Sequence, residues 1–330
     1  MPVRVSPVHI SGLLAGLLFT GALVAGCSQT ATQAQPAKPA APVLEFIGQW
    51  GVKGDGPGHL QEPVSIATDP LGNVYVADAG SLFIHKFDSQ GTPLLSFQED
   101  PLKHPQWIAV DSDGDIYVSD PVRGSIFVFY PGGEKDIHRE LHLKNRPGKE
   151  AFVSVAVGAD ELIHVLDSKT GKVDTYTPRF RLEHSWIASS GSGSGNSGSS
   201  GGSADAGSHP GPIAMGPDGY LYIADERGSR IERFTDGGQF VSEVKSGAGG
   251  LAGKLSAQFT VSRTNIFAMD ADGRTLHVWT IDGKPKLDMD LAPQLGQASR
   301  PAPALAMSPR GELLVLDQPE ARVLRYRTNF

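Results

Sequence analysis

Six aspartates set the frame of this chain: Asp78, Asp120, Asp167, Asp225, Asp270 and Asp317. Six residues beyond each stands a branched aliphatic: Ile84, Ile126, Val173, Ile231, Leu276 or Val323. Nine beyond each stands an aromatic: Phe87, Phe129, Tyr176, Phe234, Trp279 or Tyr326. Two before each lies Val76, Val118, Val165, Ile223, Ala268 or Val315. No copy breaks this spacing. Successive copies lie between 42 residues apart (Asp78 to Asp120) and 58 apart (Asp167 to Asp225). A unit of that length with several short strands cannot bury its apolar surface alone, so it must stack against copies of itself, which is the behaviour of propeller blades.

The local pattern supplies the strands. Alternating runs such as Ile116-Tyr117-Val118 and Tyr220-Leu221-Tyr222-Ile223 have the period of strands, not helices. Between them lie Leu71-Gly72-Asn73, Asp113-Gly114, Asp218-Gly219 and Asp282-Gly283, which suit tight hairpin turns with positive φ. In the second copy this predicts four strands: Trp107 to Asp111, Asp115 to Ser119, Ser125 to Tyr130, and one near Arg139 to Leu143. Ala67, Ala109, Ala156, Ala214 and Ala306 share one position in the first strand of their copies, where strands converge and space is tight. The sixth copy reaches Phe330 after its third strand. Leu44 to Trp50 has strand character ahead of the first copy and is predicted to supply the missing outer strand. The expected fold is all-β: a six-bladed β-propeller over residues 43–330, closed by an N-terminal strand, which pairs edges that would otherwise be open.

Ahead of the ring, Arg4 precedes an apolar run from Leu13 to Val24, the length of a signal-peptide core and short for a membrane span. The run ends in Leu23-Val24-Ala25-Gly26-Cys27, which resembles the bacterial lipobox. That resemblance implies a lipoprotein signal peptide over residues 1–26 and acylation of Cys27, the chain's one cysteine. Ser28, in place of Asp, implies the periplasmic side of the outer membrane if the cell is Gram-negative. Residues 27–42 are rich in Ala, Gln, Thr and Pro and are expected to form a disordered tether. At about 3.1 Å per residue it reaches roughly 45 Å.

The repeat frame resembles the NHL-repeat family of six-bladed propellers over roughly residues 43 to 330. The fourth copy carries the resemblance best, with Ile223-Ala224-Asp225, Arg230-Ile231 and Phe234, and Arg322-Val323 with Tyr326 also fits. The family's asparagine three residues after the acid is replaced throughout, by Ser81, Arg123, Thr170, Gly228, Gly273 and Glu320. Its arginine is kept only at Arg230 and Arg322. The resemblance therefore implies the fold and leaves the activity open, since this fold hosts enzymes and binding platforms alike.

Function on such a scaffold is expected on the loops. Glu62, His104 and His209 each directly precede a proline at the start of a copy, and the loops after the repeated acids add Arg123, Lys169, Glu226 and Arg227. These are the candidate ligand-binding residues. Glu62, His104 and His209 could alternatively hold zinc or another divalent ion, and otherwise cap strand starts. In the six-bladed peptidyl-hydroxyglycine lyases the zinc-binding histidine follows the proline, whereas here it precedes it. Asp111-Ser112-Asp113-Gly114-Asp115 hints at calcium but lacks the distal bidentate glutamate of an EF-hand, and reads as a turn. Residues 189–208, almost pure Gly and Ser, read as an insertion that lengthens one connection at little free-energy cost. No nucleophile elbow of the Gly-x-Ser-x-Gly kind occurs, and no catalytic residue or cofactor is predicted. A net charge of −7 without a Lys/Arg run excludes a nucleic-acid partner. The expected role is a monomeric, membrane-anchored envelope scaffold for a protein, peptide or glycan. The alternative is a metal-dependent lyase or lactonase at the channel mouth.

Overall fold

The structure, a computed structural model, describes residues 44–98, 102–143, 153–188, 210–225, 230–245, 255–296 and 301–329. Cys27, the signal peptide over 1–26, the tether over 27–42, the insertion over 189–208, His209 and Arg227 lie outside the described residues. No described helix is long and apolar enough to cross a membrane.

The repeat frame becomes six four-stranded antiparallel sheets. The first holds β2 (Pro63–Thr68), β3 (Val74–Asp78), β4 (Ile84–Phe87) and β5 (Pro93–Phe97); the second β6 (Trp107–Val110), β7 (Ile116–Asp120), β8 (Ser125–Phe129) and β9 (Lys135–His142). The third holds β10 (Val153–Val157), β11 (Ile163–Asp167), β12 (Lys172–Tyr176) and β13 (Leu182–Ile187); the fourth β14 (Pro210–Met215), β15 (Leu221–Asp225), β16 (Arg230–Phe234) and β17 (Phe240–Lys245). The fifth holds β18 (Leu255–Val261), β19 (Asn265–Asp270), β20 (Thr275–Thr280) and β21 (Pro285–Asp290). The sixth is built from β22 (Ala304–Met307), β23 (Glu312–Asp317) and β24 (Arg322–Thr328), with β1 (Leu44–Trp50) as its outer strand. Each innermost strand packs on the next, and β22 returns to β2. This is the six-bladed β-propeller that the repeat predicts, closed by the segment from Leu44 to Trp50.

In the second blade the observed strands differ from the sequence reading by a residue or so, except the last. It was expected near Arg139 to Leu143 and runs from Lys135 to His142. The turn glycines Gly72, Gly114, Gly219 and Gly283 all have positive φ, between 78° and 89°.

The aliphatic and aromatic positions of the frame fill the seams between blades. Ile84 packs with Ile116, Val118 and Phe129 of the next blade, and Leu276 with Leu313, Leu324 and Tyr326. Ala67, Ala109, Ala156, Ala214 and Ala306 each belong to one of these seam clusters. Polar bonds stitch adjacent innermost strands: Ile108 N donates to Ser65 Oγ (3.3 Å), Ile213 N to Ser154 Oγ (3.0 Å), and Trp107 Nε1 to the Val155 carbonyl (3.0 Å).

Candidate functional site

The alternation of strands gives the ring two faces. One carries the tight turns inside each blade, joining first to second and third to fourth strands. The other carries the loops joining second to third strands and one blade to the next.

On the loop face, the repeated acids turn out to be fasteners. Asp78 is fully buried and accepts bonds from the backbone N–H groups of Gln61 (2.6 Å), Glu62 (2.9 Å), Gly80 (3.0 Å) and Ser81 (3.2 Å). Asp120, equally buried, accepts from Lys103 (2.5 Å), His104 (2.8 Å) and Arg123 (3.0 Å). Asp167 accepts from Lys169 (3.0 Å) and Thr170 (3.3 Å). One carboxylate thus ties the loop entering its blade to the loop between its second and third strands. Burial by itself would raise the Asp78 carboxyl, but His85, 3.7 Å away, and the backbone donors outweigh it and hold the group well below the usual carboxylate range. The two arginines kept from the family pattern serve the same acids: Arg230 bonds Asp225 (2.8 Å) and Arg322 bonds Asp317 (2.9 Å).

This explains where the sequence-predicted residues stand. The backbones of Glu62, His104, Arg123 and Lys169 are pinned by three of the acids, while their side chains are exposed. The frame brings them to one face on fixed mounts. Among the described residues, no three His, Cys, Asp or Glu side chains group as a metal-ligand set. With His209 outside the described residues, the trio Glu62, His104 and His209 is not assembled here.

The suspected calcium loop is a turn. Asp111 Oδ1 accepts from Asp113 N (3.0 Å) and Asp115 N (2.8 Å), and Oδ2 accepts from the Tyr117 hydroxyl (3.1 Å). Asp69 repeats the arrangement one blade earlier with Leu71 N (3.0 Å), Asn73 N (2.8 Å) and Tyr75 OH (3.1 Å). A motif that recurs around the ring with its oxygens already bonded is architecture.

Two groups of partly buried titratable side chains stand out, one between the third and fourth blades and one on the fourth. His164, buried, sits 3.1 Å from Thr175 Oγ1 and 3.5 Å from Asp236, whose other oxygen is 3.4 Å from His184. Burial lowers the His164 imidazole despite Asp236 and Asp160. Further along, Arg230 faces Asp225, Glu232 (3.1 Å) and Glu243 (3.7 Å), and burial pushes Glu232 up to about 7 against the pull of Arg230. Perturbed groups of this sort are candidates for chemistry when they meet a cleft. None of these lines the described cavity.

The described cavity lies elsewhere. At the turn face, the channel opens into a space of about 700 Å³ framed by the ends of the innermost strands and the turns that follow them. Its floor includes Val110, Val157, Val261 and Met307; its rim includes Asp69, Asp111, Ser308 and the exposed Arg263 and Arg310. None of the loop-face candidates lines it. Arg263 and Arg310 were missed because turns at this position read as spacers. The available signal was a change of charge: the fifth and sixth copies carry arginine in a turn whose charged residues are acidic in the first four copies.

No protein-family model and no curated protein sequence matches the chain. Solved structures do. A streptogramin B lyase structure superposes with a TM-score of 0.57 at 14% identity, over 81% of this chain and 94% of that one. A virginiamycin B lyase from Staphylococcus aureus gives 0.53 at 14% identity, covering 82% and 85% of the two chains. A catalytically inactive His-to-Ala variant of that lyase with quinupristin gives 0.52 at 15% identity, covering 81% and 84%. At such identities the likeness shows the propeller fold.

Proposed function

We propose that this chain is a lipid-anchored lipoprotein of the bacterial cell envelope whose propeller is a rigid scaffold for a protein, peptide or glycan partner on its loop face. The observation that carries this reading is the fastening of the loops. Ordinary surface loops must be ordered when a partner binds, and that ordering costs affinity. Here buried aspartates have already fixed the backbone beneath Glu62, His104, Arg123 and Lys169, leaving their mixed charges exposed. A preorganised, polar, shallow surface suits recognition of another macromolecule. Acylation at Cys27 would hold that surface at the membrane.

A two-part experiment tests the proposal. Metabolic labelling with palmitate should mark the chain, and Cys27→Ala should abolish the label and release the protein from membranes. A photocrosslinker at position 104 or 123 should then capture one recurring neighbour from the membrane-bound form and none from the Cys27→Ala form. Label-free, soluble wild-type protein overturns the anchor; absence of any captured neighbour overturns the scaffold.

The likeness to streptogramin B lyases favours testing a second reading, a metal-dependent lyase or lactonase using Glu62, His104 and His209. Stoichiometric zinc in the purified protein, lost in His104→Ala combined with His209→Ala, selects that reading over the first.

A further inference from the structure

The loop-face candidates leave unused the cavity at the mouth on the turn face. We propose that this mouth is a second, separate binding site, and that it takes a small organic carboxylate with an apolar body. The volume of about 700 Å³ falls within the range typical of small-molecule pockets, roughly 300–1,000 Å³. Its floor is apolar and incompletely covered: Val110, Val157 and Met307 are only half-buried beside the buried Val261. Exposed apolar surface in a concave site gains free energy when a ligand displaces its water.

The rim determines the sign and kind of charge. Arg263 and Arg310 stand on neighbouring blades, both exposed and both at the cavity. Arg310 reaches only the Ser89 hydroxyl, at 3.1 Å, and Arg263 has no acidic partner among the described residues. A guanidinium that no described carboxylate occupies is a ready fork for an external one.

Guanidinium groups also take phosphate, but this rim disfavours it. Several turn N–H groups around this rim are already spent on side chains of their own turns. Leu71 and Asn73 donate to Asp69, Asp113 and Asp115 to Asp111, Asn265 to Ser262 Oγ (3.0 Å), and Glu312 to Ser308 Oγ (3.1 Å). Asp69 and Asp111, themselves lining the cavity, add repulsion that grows with the ligand's charge. One negative charge satisfies the two arginines where two would be penalised. The apolar end of the ligand then rests on the valine floor.

The test is a calorimetric titration of the full purified protein with N-benzoylphenylalanine, with its carboxamide, and with inorganic phosphate as competitor. The acid should bind at least about tenfold more tightly than the amide, the size of a modest charge-assisted contact. Arg263→Gln combined with Arg310→Gln should erase that preference, leave amide binding unchanged and leave the melting temperature unchanged. Phosphate should not displace the acid. Equal affinity for acid and amide, no binding of either, a preference that survives in the double variant, or displacement by equimolar phosphate would each overturn the proposal. None of these outcomes bears on the palmitate or crosslinking results, so this site and the loop-face scaffold stand or fall apart.

Discussion

Asp78 shows how much one side chain does in this ring. Its carboxylate is buried with four backbone N–H donors and His85 around it. Asp78→Asn keeps the volume but turns an amide toward N–H groups, leaving buried donors without an acceptor. The expected cost is about 2–3 kcal/mol at pH 7, read from urea unfolding. Because the folded-state carboxyl is held below its unfolded value, the contribution is present above the unfolded pKa and fades as pH falls through the folded one. The wild-type advantage over the variant should therefore shrink on going from pH 7 to pH 3; an unchanged gap would show that the carboxylate's charge contributes nothing. Glu232 has the opposite sign. Burial raises it to about 7 from 4.5, so the folded chain binds a proton in that window which the unfolded chain has released. The stability attached to that proton is full below pH 4.5 and is lost as pH rises through 7. Glu232→Gln supplies a permanently neutral group of the same shape. It should stabilise the protein by about 1–2 kcal/mol at pH 8 and by nothing at pH 4, a difference that paired melts at the two values would reveal.

Between the scale of a residue and that of the ring, one contact recurs from element to element. An aromatic on the outer strand of one blade lies against a glycine in the outer turn of the next. Phe97 meets Gly133, Trp186 meets Gly238, and Trp50, on the closing strand, meets Gly91. Each of these glycines has φ between 80° and 92°, and a Cβ at Gly91 would come 2.1 Å from Trp50 Cγ. Gly91→Ala must both adopt a disfavoured backbone conformation and push the indole off Phe87, whose ring centroid is 4.6 Å away. A loss of about 2–4 kcal/mol is expected, together with a change in Trp50 fluorescence; a melt within a degree of wild type would disprove the contact. The contact also marks what could be read in advance. The strand period, the turn glycines and the seam positions were legible because each is repeated at fixed spacing. The outer strand of the second blade was placed late because Lys135 to His142 mixes charged and apolar residues on a partly exposed edge, which blurs alternation. The loop-face candidates were legible as residues flanking the acids. Arg263 and Arg310 were not, since which turn side chain looks into the channel depends on how six sheets are arranged about an axis, and no local pattern encodes that.

For the molecule as a whole, the decisive feature is that β1 and β24 lie far apart in sequence and share one sheet. Their ladder runs from Leu44 opposite Thr328 to Trp50 opposite Val323, with a bulge between Phe46 and Gly48. Arg322 adds bonds to Gln49 (2.9 Å) and to the Gln294 carbonyl (2.7 Å). Beneath this ladder, Leu314, Leu316 and Val323 of the last blade pack with Ile66, Val74 and Phe87 of the first, and Trp50 covers them. In an open stack of repeats each unit depends only on its neighbours, so the ends fray first and stability is close to a sum over units. Closure removes the ends: every blade has two neighbours, and opening any seam exposes apolar surface on both sides. The wild-type protein should therefore unfold in one transition, with slow amide exchange in β2 and β23 matching that in β11 and β15. Deleting residues 44–50 weakens the closure at the seam between the last and first blades. It strips the outer strand from the last sheet, uncovers Phe87 and Val323, and leaves β24 as a bare edge open to aggregation. In that variant, exchange should accelerate first in β22 to β24 and β2 to β4, and a second, earlier transition should separate from the main one. If instead protection fell evenly in all six blades at a single lower melting point, the seams would be transmitting the damage all the way round. That would make the ring one indivisible cooperative unit, with the closing strand contributing only its own contacts.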